Sequence, residues 1–437
     1  MTLPGLDRLS AALAQARPVR PVGRIAAFDG RLAHVAGLDG RVALGDLVEI
    51  AGRRGEVVAL DDTGVVVLPE VAPEGVRLGD MALLYGPPEI RPDDSWLGRV
   101  VDPFGQPMDG RPVLPGPVPR PYETPPPDPT RRRGFGARLD TGFALFNTLL
   151  GLARGQRIGL FAGAGVGKST LLSGLAQGVE ADVVVLALVG ERGREVRHFV
   201  EDVLGPAGLA RSVVVAATSD TSPLVRRRAL PAALAVAEHF RDAGLHVFLL
   251  ADSVTRHAEA HREVALSVGE GAHLRGFPPS TAQKLAALSE RAGPGAGAQG
   301  DITAVFSVLV EGSDMDGPVA DILRGVLDGH VVLDRAIAER GRFPAVDVLR
   351  SLSRALPDIT TEAEAALATR ARELLGAYAN GEIMVKSGLY EAGADPLLDA
   401  AVRAWPGLDA FAARRGEASV AASFKRLAEV LKAANAL

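Results

Sequence analysis

The sequence predicts an α/β protein: a P-loop core with a mainly parallel sheet, preceded by a small β-barrel and followed by a helical domain. Three observations predict it. From Arg157 onward, apolar runs of strand length alternate with helical stretches, the signature of a parallel sheet covered on both faces. The stretch FAGAGVGKST, residues 161–170, falls between the first of these strands and the first of these helices. Upstream, short apolar runs are punctuated by turn glycines; downstream of Leu356 the chain turns Ala/Leu/Glu/Arg-rich with few strand signals.

The elements follow in order. Leu6, Leu9 and Leu13 share one side of a short helix within residues 1–18, which either caps its own domain or docks a partner. Between Val22 and Leu84, inside a domain expected to span 19–90, Asp29-Gly30, Asp39-Gly40, Gly52 and Gly64 mark hairpins at the spacing of a small barrel. The central domain is expected over 91–350. It opens with an extended strap, 111–130, because nine prolines between 112 and 129 exclude a packed element. The Arg131-Arg132-Arg133 run after it reads as a solvated basic edge. Strands are expected at 157–162, 182–190, 212–218, 246–252 and 302–310, and helices at 168–179, 192–204, 225–243 and 256–266. The helical domain is expected over 351–437.

Bulk composition narrows the function. Charged residues at 23% and hydrophobic ones at 47% suit a globular protein, and a net charge of -5 speaks against a chain coated in nucleic acid. With no cysteine, disulfides, iron–sulfur clusters and thiolate zinc sites are excluded. The start lacks a signal-peptide pattern, and the apolar run Val183–Val189 is far shorter than the roughly 20 residues of a membrane span, so a cytoplasmic protein is expected.

FAGAGVGKST departs from G-x-x-x-x-G-K-S/T at one place: Ala162 stands where the first glycine belongs. That position closes the strand, so a methyl fits there if φ is negative and the side chain faces away from phosphate. The backbone N–H groups of Gly163, Ala164, Gly165, Val166, Gly167 and Thr170 would cradle phosphates at the positive end of the helix. Lys168 would neutralise β- and γ-phosphate charge, and Ser169 would offer its hydroxyl to Mg²⁺. Downstream, HVFLLADSVTR is an apolar strand ending in Asp252, as a Walker B element does, with the carboxylate serving Mg²⁺. GERGREV, residues 190–196, puts Glu191 at another strand end, where a carboxylate can polarise an attacking water. Spacing alone leaves it equally open to a surface salt-bridge cluster with Arg192, Arg194 and Glu195.

Read together, FAGAGVGKSTLL, GERGREV, ADSVTRHAEAHREVAL, RGFPPS, LSERAG, LDGHVVLDR and RFPAVDVLRSLSR resemble the rotary-like ATPases of type III secretion, most closely those of flagellar protein export. The resemblance runs from about residue 20 to the C-terminus. It implies a RecA-like central domain, assembly as a homohexamer, and ATP with Mg²⁺ as the ligands. It supports Lys168, Ser169, Glu191, Arg192 and Asp252 in catalysis and metal binding. It implies that Arg354 is a finger reaching a neighbouring subunit's nucleotide, and that Phe343 stacks on adenine, although locally Phe343 could be a core residue. Asp314 and Asp316, in EGSDMDGPVAD, would face a coiled-coil central stalk, or simply solvent. A stator-like regulator at the N-terminal helix, an export gate, and secreted substrates or chaperones are the further partners implied, with recruitment to the inner face of the membrane. No nucleic acid and no transmembrane segment are expected.

Neighbouring families fit less well. Glu191 is Gln in the noncatalytic ATP synthase subunit, and the catalytic subunit carries Thr where Ser169 stands. Rho-type helicases need an aromatic single-strand platform that the barrel region lacks. His257 and His261 sit at i and i+4 on a helix, but Glu259 is one place off the zinc-protease pattern and no third ligand is evident, so polar helix positions are expected. An injectisome ATPase, a nucleic-acid translocase and a nucleotide-sensing scaffold remain the alternatives.

Overall fold

A computed structural model describes residues 19–61, 64–71, 74–310, 315–417 and 419–436. The helix expected within 1–18, and with it the regulator's docking site, lies outside the described residues, as does Asp314.

In the barrel, strands Val22–Phe28, Ala33–Ala36, Gly64–Pro69, Arg53–Asp61, Leu47–Ile50 and Met81–Gly86 are neighbours in that order, and the last pairs back on the first. Alternation makes this possible: Ile25, Val35, Val48, Ile50, Val57, Val65 and Val67 point inward and form a core of their own. Gly30, Gly40 and Gly52 hold positive φ at the turns, as the hairpin punctuation requires.

The second body is a nine-stranded sheet. Its main path runs Val346–Ser353, Gly329–Leu333, Arg157–Ala162, Asp301–Leu309, Val247–Asp252, Val183–Glu191, Ser212–Thr218 and Arg99–Val101. Every neighbouring pair on this path is parallel except the first. The run VVVLALV reads as continuously apolar because it feeds two cores. Val184, Leu186 and Leu188 enter one, and Val183, Val185, Ala187 and Val189 enter the other. The helix expected at 192–204 is less regular than anticipated: Gly193–His198 is α-helical and Phe199–Leu204 widens into a π-helical segment. The arginine run is also not a free solvated edge. Arg132 pairs with Glu290 at 3.2 Å, and Arg133 pairs with Asp301 at 2.6 Å and reaches the carbonyls of Gly297 and Gln299.

Three helices, Glu362–Lys386, Pro396–Ala412 and Val420–Ala433, follow the sheet, started by Thr361, Asp395 and Ser419 as side-chain N-caps. Their apolar faces join the core on one side of the sheet, and buried Asn147 donates to Ser423 at 3.1 Å across that junction. Among the described residues no helix is long and apolar enough to cross a membrane.

Candidate functional site

The site forms at the C-terminal end of the parallel strands, where open α/β sheets bind ligands. Ala162 is the last residue of its strand, pairs with Leu309 and Leu333, and is fully buried in the core. Positive φ with a side chain occurs, among the described residues, only at Ala51, Arg275 and Asn435. The methyl of Ala162 therefore costs the loop nothing. The strained positions are Gly165 (φ +76°) and Gly167 (φ +86°), which turn the chain into helix Lys168–Gly178. That helix starts without a side-chain cap, so its first-turn N–H groups face the loop, next to exposed Ala164, Ser169 and Thr170 and half-exposed Gly163. Val166 is instead buried against the sheet.

Asp252 ends the strand Val247–Asp252, opposite Leu188 of the neighbouring strand, with its side chain only 8% exposed. Its Oδ1 accepts from Ser307 Oγ at 2.6 Å and pairs with the Lys168 ammonium. Glu191 ends the adjacent strand, opposite Thr218. Ser169, Thr170, Leu188, Glu191, Glu195 and Asp252 share the lining of one cavity of about 350 Å³. Burial, a hydrogen bond with the Glu195 carboxyl, and the negative charge of Asp252 push Glu191 up to about 7, against the pull of Lys168. Glu195 moves the opposite way, below its ordinary value, through the same hydrogen bond. A carboxylate poised near neutrality is what a general base requires.

Arg192 is exposed next to Glu191 in the chain and is the N-cap of the helix Gly193–His198, its carbonyl accepting from Glu195 N–H at 2.8 Å. Phe343 is 41% exposed, and its ring packs on the P-loop: a Cβ added at Gly167 would sit 3.1 Å from Phe343 Cδ1. Phe343 is thus not a core residue. The Phe343–Pro344 and Asp252–Ser253 peptides are cis.

Arg354 lies elsewhere. It follows Ser353, which pairs with Gly329, whereas Leu333 of that same strand pairs with Ala162. Four residues of strand, about 13 Å, therefore separate Arg354 from its own P-loop along the sheet. Asp316 is exposed, 3.8 Å from Arg324, and its carbonyl accepts from Arg275 at 3.1 Å. His257 and His261 are buried, held neutral by desolvation, with His261 Nε2 on Ser280 Oγ at 2.8 Å.

Sequence reading missed Ser307 and Glu195 as parts of the site. The signal for Ser307 was a hydroxyl late in the apolar strand ITAVFSVLV, level with the end of the Walker B strand. For Glu195 the signal was its place in the first turn of the helix that follows Glu191.

Comparison with known proteins agrees with this geometry. Residues 142–353 match the ATP synthase alpha/beta family, nucleotide-binding domain, and residues 360–429 match the T3SS EscN ATPase C-terminal domain. The flagellum-specific ATP synthase of Caulobacter vibrioides is 45% identical over 97% of this chain and 99% of its own. The chain belongs to the flagellum-specific ATP synthase family. Another member, from Salmonella typhimurium, is 42% identical over 94% of this chain and 93% of its own. Among solved structures, the assembled ATPase EscN from the type III secretion system of enteropathogenic E. coli is 37% identical. It superposes with a TM-score of 0.88 over 94% of this chain and 100% of that one. EscN in complex with its central stalk EscO gives a TM-score of 0.86. As a flagellum-specific ATP synthase family member with a RecA-like P-loop core, the chain is an ATP hydrolase of the type III export class.

Proposed function

We propose that the protein hydrolyses Mg²⁺-ATP at the subunit interfaces of a homohexamer, and that turnover energises or gates type III export of flagellar proteins. The observation that carries this reading is the convergence of Ser169, Glu191 and Asp252 on one cavity beside the P-loop, with Lys168 paired to Asp252 and Arg354 at the far end of the sheet.

The P-loop amides and Lys168 hold the β- and γ-phosphates, and Phe343 stacks on the adenine. Ser169 and Asp252 suit Mg²⁺: one hydroxyl and one buried carboxylate leave the remaining positions to phosphate oxygens and water, the usual habit of this ion. When bound, the ion offsets phosphate charge. Glu191 accepts a proton from the water that attacks the γ-phosphorus; the bond to the ADP oxygen breaks and inorganic phosphate leaves. Arg192 adds positive charge next to Glu191. Arg354 of a neighbouring subunit stabilises the transferred phosphoryl group, an effect worth about 10³–10⁵ in rate where such fingers act.

Around this core, a stator-like regulator binds within residues 1–18, and a coiled-coil stalk approaches Asp314 and Asp316. The hexamer is recruited from the cytoplasm to the export gate at the inner face of the membrane, where it meets substrates or chaperones. An injectisome role is the second reading, favoured by the likeness to EscN. Restored motility in a flagellar ATPase deletion strain tests the choice between them; absence of rescue would favour the injectisome. For the chemistry, oligomerised protein should release phosphate, whereas Lys168→Ala should not. Glu191→Gln should bind ATP without turning it over. Turnover by the Lys168→Ala protein equal to wild type would end the enzymatic assignment of the site.

A further inference from the structure

The turn that carries Phe343 is tied to the C-terminal helices by one buried arginine. The Arg342 side chain is 9% exposed, and its guanidinium wraps the turn: Nη1 donates to the Pro344 carbonyl at 2.9 Å and Nη2 to the Val346 carbonyl at 3.0 Å. Nε lies 3.2 Å from Asp409 Oδ1, an ion pair whose geometry is not that of a hydrogen bond, and Asp409 belongs to the helix Pro396–Ala412. A second tie runs in parallel. Arg340 lies 5.6 Å from the Trp405 ring, which stacks on Tyr378 at 4.2 Å with only 8° between the planes. Arg340 also approaches Glu382 at 3.9 Å. Arg340 and Arg342, on either side of Gly341, thus both meet the helix Pro396–Ala412, Arg340 also approaches the helix Glu362–Lys386, and Phe343 follows directly, resting on Gly167.

We propose that Asp409, through Arg342, is a positioning residue for nucleotide binding: it holds the Phe343 ring over the P-loop and so sets affinity for the base of ATP without touching it. Geometry makes the turn end of the link stiff, while charge alone holds the Asp409 end. A guanidinium bonded to two carbonyls of one turn cannot follow Asp409 without carrying that turn along. The pair is shielded enough for its loss to be felt, unlike an exposed surface pair. The C-terminal helices thereby become part of the nucleotide site, and a partner that shifted the helix Pro396–Ala412 would change ATP affinity. This inference rests on the assignment of Phe343 to the adenine.

The test compares Asp409→Asn, Asp409→Glu, Arg342→Lys and Phe343→Ala in the full-length oligomer, with fold checked by circular dichroism melting. Asp409→Asn is expected to raise KM for ATP about fivefold, with kcat within about twofold of wild type. Inhibition by tripolyphosphate, which occupies the phosphate subsite but has no base, should be unchanged. Asp409→Glu should restore KM, and Arg342→Lys should behave as Asp409→Asn does. Asp409→Asn with wild-type KM, beside a raised KM in Phe343→Ala, would overturn the positioning role while leaving Phe343 on the adenine. Wild-type KM in Phe343→Ala would overturn both. Equal weakening of ATP and tripolyphosphate would make Asp409 a general support of the P-loop and end the proposal.

Discussion

At Asp252 one carboxylate oxygen meets two donors of different kinds, a charged Lys168 and a neutral Ser307. In the proposed reaction the lysine serves phosphate, which leaves the serine as the partner that fixes the carboxylate's direction throughout turnover. Ser307→Ala should lower kcat by about tenfold, equivalent to about 1.4 kcal/mol, with little change in melting temperature; phosphate release across a Mg²⁺ titration measures it. Glu191 makes a pH prediction. Its ordinary value is 4.5 and the folded site raises it to about 7. A protonated Glu191 cannot accept a proton from water, so kcat/KM should fall on the acid side of about pH 7. Folding takes up a proton between those two values, so this group's contribution to stability is lost as pH rises through that window. Glu195→Gln should move the acid limb of the rate profile to lower pH, because a Gln amide can donate to the Glu191 carboxylate and carries no charge. Glu191 itself was legible in GERGREV as a strand-end carboxylate. Its partner was not, since a hydrogen bond between two acids looks on paper like part of a surface ion-pair cluster.

Elements differ in how plainly the chain announces them. Strands buried on both faces stand out as unbroken apolar runs, and Arg157–Ala162 and Ser212–Thr218 appear at the positions expected for them. The edge strand Val346–Ser353 escaped notice because Leu349 and Leu352 are exposed, at 44% and 45%, and break any period-two pattern. The P-loop turn is legible because its constraint is local. Gly167→Ala would force a Cβ into a positive φ and against Phe343, and should abolish ATP binding by calorimetry while leaving the fold intact by circular dichroism. Helix-to-helix ties are invisible by comparison. Glu238 in the helix Pro223–Asp242 and Arg291 in the helix Ser280–Arg291 form a bidentate pair with both side chains 2% exposed. Glu238→Ala should destabilise the protein by about 3–5 kcal/mol in urea unfolding, since it strands a buried charge.

For the whole molecule, the informative contacts lie between bodies. Glu56 of the barrel strand Arg53–Asp61 is 7% exposed and receives both Arg227 and Arg228 from the central helix Pro223–Asp242. Glu56→Ala leaves those arginines without their carboxylate and should speed hydrogen exchange in the barrel more than in the central sheet. Unchanged barrel exchange would mean that the Pro-rich strap alone sets the junction. Arg354 makes the other whole-molecule prediction. Rings mixed from Arg354→Ala and Glu191→Gln subunits should recover part of the activity that each variant lacks, because some interfaces then hold both groups intact. A strict absence of recovery would rule out a finger acting between subunits.

By itself the sequence determined the glycine turn after Ala162, the strand-end carboxylates Glu191 and Asp252 and the family, because each depends on a few consecutive residues at the end of a strand. For Ala162 the sequence set only the conditions, a negative φ and a side chain turned from phosphate, and the structure meets both. Tertiary structure decided the rest: that Ser307 would face Asp252, that Phe343 would lie on Gly167, and that Arg342 would bind the Phe343 turn to a distant helix. Those contacts depend on strand order and on helices returning across the sheet, and no local period or spacing encodes which distant segments will meet.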